Sequence, residues 1–178
     1  MVREVHDLPT GVDIWLVDIG LHQSKSHKHL VAHPILQEVL RKYAVQKDKL
    51  HHNLSYSHTK MAIAVSDQPV GIDLEFINTT FDYEDVAKEC FSNEELASLK
   101  NHELFFKSWT RKEALLKATK LGIIEEMALI PSMDGTHEIP APLKEHGKDW
   151  KVYTLTTNGY QLSVASVYFL TAFSQITD

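Results

Sequence analysis

A single cysteine, Cys90, stands among the 178 residues. An internal disulfide is excluded, and so is a metal centre built on paired cysteines. No stretch approaches the about 18 consecutive apolar residues of a membrane-spanning helix. The opening segment, MVREVHDLPTGVDIWLVDIG, has no basic run followed by an apolar one, so no secretory signal is read there. A cytoplasmic location with no membrane partner is the expectation. Basic charge is also short. Lys and Arg number 18 against 24 Asp and Glu, for a net charge of -6. That is the wrong sign for a general nucleic-acid binder, though a local basic pocket stays open. Glycine (7) and proline (6) are sparse, and neither a low-complexity tract nor a clean repeat is found.

The rest of the composition, 43% hydrophobic and 24% charged, suits a globular chain able to bury a core. The length fits one domain, or two small halves sharing a core. Eleven histidines raise a metal reading, with His29 and His33 at i, i+4 spacing. Pro34 follows His33 and disfavours helix there, and no acid sits between them as in a zincin motif. Scattered, solvated histidines are the expectation.

VDIWLVDI, 12–19, reads as a strand covered on both faces. SKSHKH reads as a polar loop, and 35–44 as a helix with Ile35, Leu36, Val39, Leu40 and Tyr43 along one stripe. MAIAV, SDQP and VGIDLEF suggest strand, turn, strand. Asp82 can cap a short helix through Cys90, and Ser92 with Glu95 fits a capping box. The spacing predicts a long helix over 102–121, stopped by Gly122. Residues 131–149 read as a surface loop. Asn158-Gly159 between two apolar runs signals a hairpin. The pattern is α+β, with two sheet-and-helix halves packed in one chain as one arrangement.

Within VGIDLEF, residues two apart point the same way, with Cα atoms roughly 6.6 Å apart. Asp73 and Glu75 therefore share one face, and Ile72 and Leu74 the other. Two carboxylates so close repel unless water, basic side chains or a divalent cation compensate; taken alone, the stretch reads first as a strand with one wet face. On the long helix, Trp109, Glu113 and Lys117 fall on one face. Glu113 and Lys117 also fit a plain solvated ion pair, and Trp109 a core position. Ser57, His58 and Thr59 could bind phosphate or simply form a turn. Glu95 is explained equally by capping and by a functional role.

The order of these pieces is specific: SHT at 57–59, GIDLE at 71–75, FSNEEL at 91–96 and WTRKEALLK at 109–117. Together they resemble the 4'-phosphopantetheinyl transferases, in particular the longer, monomeric, surfactin-synthetase type. The resemblance covers 53 to about 122. It implies an α+β fold of two similar halves, here 1–69 on the nucleotide side of coenzyme A and 70–178 carrying the metal-binding strand and catalytic helix. It implies transfer of the phosphopantetheine arm of coenzyme A to a serine of an acyl or peptidyl carrier protein, with Mg2+, releasing adenosine 3',5'-bisphosphate. By the same resemblance Asp73, Glu75 and Glu113 are the metal ligands, and Glu113 and Lys117 the catalytic residues. Ser57, His58, Lys112 and Lys117 contact coenzyme A, with a phosphate or a structural contact expected for Lys112. A monomer is expected, since both halves lie in one chain.

The chain also departs from the family pattern. Only VQKDKLHH stands where many relatives carry a Gly-Lys-Pro element, and Lys25, Lys28, Arg41 and nearby histidines are the basic residues near the first helix. A gapless spacing to Gly71 would put Ser55 and Tyr56 in place of Ser57 and His58. Another Mg2+-dependent phosphotransfer enzyme, or a non-catalytic relative that binds a carrier or coenzyme A, fits the same residues.

Overall fold

The computed structural model describes residues 11–21, 25–43, 49–120, 127–132, 135–137, 150–168 and 174–175. The elements are β1 (Val12–Asp18), α1 (Lys25–Arg41), β2 (His51–Ser57), β3 (Lys60–Ser66), β4 (Val70–Phe76), α2 (Glu84–Cys90), α3 (Asn93–Ser98), α4 (His102–Thr119), β5 (Gly135–His137), β6 (Trp150–Thr157), β7 (Tyr160–Ser166) and β8 (Ser174–Gln175). They form an α+β fold with two four-stranded sheets, ordered β2-β3-β1-β8 and β4-β7-β6-β5. All pairings are antiparallel except β8 on β1.

Strand alternation builds the layers. Val12, Ile14, Leu16, Ala62 and Ala64 of the first sheet share one core with Val70, Ile72, Leu74, Leu162 and Val164 of the second. The opposite face of the first sheet, with Trp15, Met61, Ile63 and Val65, packs on Ala32, Leu36, Val39 and Tyr43 of α1 and its end. The opposite face of the second sheet, with Trp150, Val152 and Ala165, packs on Ala114, Leu115 and Ala118 of α4. Each sheet is thus apolar on both faces, as expected of a buried sheet.

Several elements differ from the sequence expectations. α1 begins at Lys25, within the expected loop, and holds Pro34 inside it. A proline costs the helix one internal hydrogen bond, but the apolar stripe of α1 docks on the first sheet and outweighs that loss. MAIAV and VGIDLEF are the expected strands with a turn between them; β3 and β4 lie in different sheets, and that turn carries the chain across. The residues before His58 form strand β2, so SHT is the end of a hairpin. Gly135–His137 pairs with β6 in the expected loop; 138–149 lie outside the described residues. β8 joins the first sheet, although its residues fall in the expected second half.

Other expectations hold. Ser92 and Glu95 make both hydrogen bonds of a capping box. Asn158 and Gly159 both take positive φ, as a type I′ hairpin turn requires. α4 ends at Thr119 with Lys120 in the left-handed conformation; Gly122 lies outside the described residues. Among the described residues no helix is long and apolar enough to cross a membrane.

Candidate active site

Gly71 sets the distance between α4 and β4. A Cβ at this position would collide with the carbonyl oxygen of Ala114 and lie 2.5 Å from the amide nitrogen of Ala118. Only a residue without a side chain lets the helix rest directly on the strand. Asp73 and Glu75, two and four residues on, occupy the same face of β4 as Gly71. Glu113 and Lys117, one helical turn apart, flank Ala114 on α4. The GIDLE glycine and the two helical residues therefore belong to one contact.

Asp73 is 3% exposed. Its Oδ1 accepts from Lys117 Nζ at 2.6 Å and from Ser55 Oγ at 2.9 Å. Lys117 Nζ also donates to Ser55 Oγ and to the carbonyl of Ile72, both at 3.3 Å. Glu75 Oε2 accepts from Ser57 Oγ at 2.7 Å. Two buried carboxylate oxygens in this cluster, Asp73 Oδ2 and Glu113 Oε1, have no hydrogen-bond partner.

The electrostatics show the three acids acting on one another. Burial, then the charge of Asp73, pushes the Glu75 pKa up to about 7; Ser57 and Lys117 oppose the rise and Glu113 adds to it. Burial, then Asp73, likewise raises the pKa of Glu113, with Lys117 opposing. Among the described residues, three carboxylates face one ammonium, that of Lys117, so this cluster is short of positive charge.

Among the described residues, no three His, Cys, Asp or Glu side chains stand together as a group that could hold a metal ion. Asp73, Glu75 and Glu113 are near enough to act on one another's charge, while Lys117 engages Asp73 and Ser57 engages Glu75. The chemistry of the donors nevertheless fits a hard divalent cation. All are carboxylate oxygens, two buried oxygens lack partners, and Mg2+ characteristically takes one or two carboxylates and completes its shell with water and substrate phosphate.

The strand β2 supplies what the sequence reading missed. Its residues 53, 55 and 57 form a polar row against the edge of β4. Asn53 Oδ1 accepts from the amide of Ile72 at 3.0 Å, Ser55 donates to Asp73, and Ser57 accepts from the amide of Phe76 at 3.0 Å while donating to Glu75. The alternation N-L-S-Y-S was the available signal. Leu54 and Tyr56 pack towards α1, which turns Asn53, Ser55 and Ser57 the other way.

His58 sits at the β2–β3 turn with φ +51°, its ring stacked on Phe76 at 4.6 Å. Its Nδ1 lies 3.3 Å from the Tyr160 hydroxyl, which also meets Thr59 Oγ1 at 3.0 Å. Ser57, His58 and Glu75 border a cavity of about 420 Å³ whose other wall is apolar, with Phe76, Phe81, Phe106 and Trp109. Trp109 lines this cavity and also packs against two core clusters.

Lys112 faces elsewhere. It is fully buried, and its Nζ donates to Glu95 Oε2 at 2.8 Å and to the carbonyls of Met127 at 3.1 Å and Ile130 at 2.6 Å. Of the two contacts expected for it, the structure contains the structural one, and the coenzyme A contact is corrected: three acceptors consume the ammonium. Glu95 completes the arrangement. Beyond the capping box, its Oε1 accepts from the amide and hydroxyl of Ser132 at 3.1 and 2.5 Å. It joins α3, α4 and the 127–132 segment, which accounts for its place in the motif without catalysis.

Comparison with known proteins bears on the same residues. The family model described as the 4'-phosphopantetheinyl transferase superfamily matches residues 69–165, more than half of the chain. The chain is similar to the 4'-phosphopantetheinyl transferase HetI of Nostoc sp., with 40% identity over 91 residues, 45% of this chain and 38% of the relative. It is also similar to the 4'-phosphopantetheinyl transferase psf-1 of Bacillus pumilus, with 32% identity over 130 residues, 68% of this chain and 54% of the relative. The matches thus span about half, or less, of the length of these relatives.

Proposed function

From the premise that the chain belongs to the 4'-phosphopantetheinyl transferase superfamily, we propose that it transfers the phosphopantetheine arm of coenzyme A to a serine of an acyl or peptidyl carrier protein. The reaction is Mg2+-dependent and releases adenosine 3',5'-bisphosphate. The observation that carries this reading is the cluster of Asp73, Glu75 and Glu113 around one ammonium, with two buried carboxylate oxygens lacking partners.

In the transfer, the serine oxygen of the carrier forms a bond to the β-phosphorus of coenzyme A. The bond from that phosphorus to the oxygen bridging to the nucleotide breaks, and adenosine 3',5'-bisphosphate leaves. Asp73, Glu75 and Glu113 would hold Mg2+, which when bound supplies positive charge against the pyrophosphate and the leaving phosphate. Glu113 is suited to take the serine proton only through the oxygen that does not hold the cation, directly or by way of a water. Lys117 is suited to meet the leaving phosphate, since its Nζ already lies at the cluster. The apolar wall of Phe76, Phe81, Phe106 and Trp109 next to Glu75 is the surface on which the uncharged pantetheine arm would lie.

The nucleotide product tests the reading. Incubation with coenzyme A, Mg2+ and an apo carrier should yield adenosine 3',5'-bisphosphate in step with carrier modification. Coenzyme A consumed to a different nucleotide would favour another Mg2+-dependent phosphotransfer, and coenzyme A left intact while the carrier is bound would favour a non-catalytic relative.

A further inference from the structure

The polar row on β2 touches the acidic cluster from the other sheet, and its members have defined hydrogen-bonding roles. Ser57 has one proton to give and gives it to Glu75 Oε2 at 2.7 Å; its oxygen accepts from the Phe76 amide at 3.0 Å. Ser55 gives its proton to Asp73 Oδ1, the same oxygen that Lys117 engages, which leaves Asp73 Oδ2 as the unpartnered one. Asn53 satisfies the amide of Ile72, so the row also closes the exposed edge of β4. A hydroxyl whose proton goes to a carboxylate fixes which oxygen of that carboxylate remains for a ligand.

We propose that Ser55 and Ser57 are positioning residues for the cation-binding carboxylates, with Ser57 orienting Glu75 and Ser55 orienting Asp73 from across the joint between the two sheets. This rests on the cation site proposed above. It replaces, for Ser57, the expected direct contact with coenzyme A. Groups that hydrogen-bond a metal-binding side chain fix its orientation, and their loss costs about 10- to 100-fold in metal affinity. It also makes the joint part of the site: the first sheet reaches the acids through hydroxyls on a strand that supplies no metal ligand.

The test uses Ser57→Thr and Ser57→Val. Both side chains are β-branched, have the same shape and suit a strand; only threonine keeps the hydroxyl. Divalent-cation affinity is read by Mn2+ binding to the full chain without substrate, and coenzyme A affinity is read with a chelator present. The expected result is wild-type-like Mn2+ affinity in Ser57→Thr and a loss of about tenfold or more in Ser57→Val. Coenzyme A affinity without metal should be the same in the two variants. Equal Mn2+ affinity in the two variants overturns the positioning role. Loss of metal-free coenzyme A affinity in Ser57→Val alone, with Mn2+ affinity kept, also overturns it and assigns Ser57 to the substrate. Absence of Mn2+ binding in the wild type, both without substrate and with coenzyme A present, refutes the cation site itself, a failure distinct from both.

Discussion

Lys117 Nζ lies 2.6 Å from Asp73 Oδ1, and the two side chains are 29% and 5% exposed. The pair joins the helix α4 to the strand β4 at the centre of the acidic cluster. A nearly buried carboxylate is held by a lysine whose side chain is partly exposed, beside two further acids. Removing one partner of a buried pair leaves a charge without compensation.

Lys117→Met is therefore expected to destabilise the protein by about 2 kcal/mol, below the cost for a fully buried pair because the lysine side chain is partly exposed. Millimolar Mg2+ should recover more of the lost thermal stability in this variant than it adds to the wild type. A divalent cation can neutralise the carboxylates that the lysine no longer serves. Thermal unfolding with and without Mg2+ reads both effects.

Glu113→Gln keeps the shape of the side chain and removes its charge and basicity. The transfer rate should fall at least ~100-fold, in line with losing an acid-base or electrostatic group at the reacting centre. Steady-state kinetics with a saturating carrier checks this. Full activity in the variant would remove Glu113 from the mechanism.

Gly71→Ala tests the contact that builds the site. The added methyl meets the backbone of α4 at Ala114 and Ala118, neither of which can move alone. The helix must shift off the strand, so both stability and activity should drop, by about 1–3 kcal/mol for the overpacking. Circular-dichroism melting alongside the transfer assay would detect it.

Glu95 gives a pH dependence. Burial works against its carboxylate, but hydrogen bonds from Lys112, Ser132 and the Ser92 amide outweigh it and hold the pKa below the ordinary value of 4.5. Below 4.5 the unfolded chain then binds more protons than the folded one. The contribution of Glu95 to stability is present above that value and is lost as pH falls through the depressed pKa. Glu95→Gln should be less stable at neutral pH and should show a shallower loss of stability on acidification below 4.5. Denaturant unfolding across that range measures the slope.

Local signals carried much of this fold and part of this site. The stop-free run from His102, the Asn158-Gly159 turn and the Ser92–Glu95 box are read from neighbouring residues, and all appear in the structure. The i, i+2 spacing of Asp73 and Glu75 and the i, i+4 spacing of Glu113 and Lys117 were legible for the same reason. Contacts made by folding were not. Strand β2 escaped because its polar residues Asn53, Ser55 and Ser57 point at the edge of β4, in another sheet, and no periodicity encodes that meeting. For Lys112 a structural contact was among the expectations, but its partners were not legible: a lysine is almost never fully buried unless paired, and its acceptors, at Glu95, Met127 and Ile130, come from segments distant in sequence. α1 was cut short at Pro34 by a local rule that tertiary burial overrode.

Intact-mass analysis of apo carrier proteins incubated with this protein, coenzyme A and Mg2+ tests the central claim most directly. The expected result is addition of one phosphopantetheine mass to a carrier, abolished by a chelator. Carriers that stay unmodified across a panel of fatty-acid, polyketide and peptide-synthesis domains, with the protein folded and Mg2+ present, would contradict it.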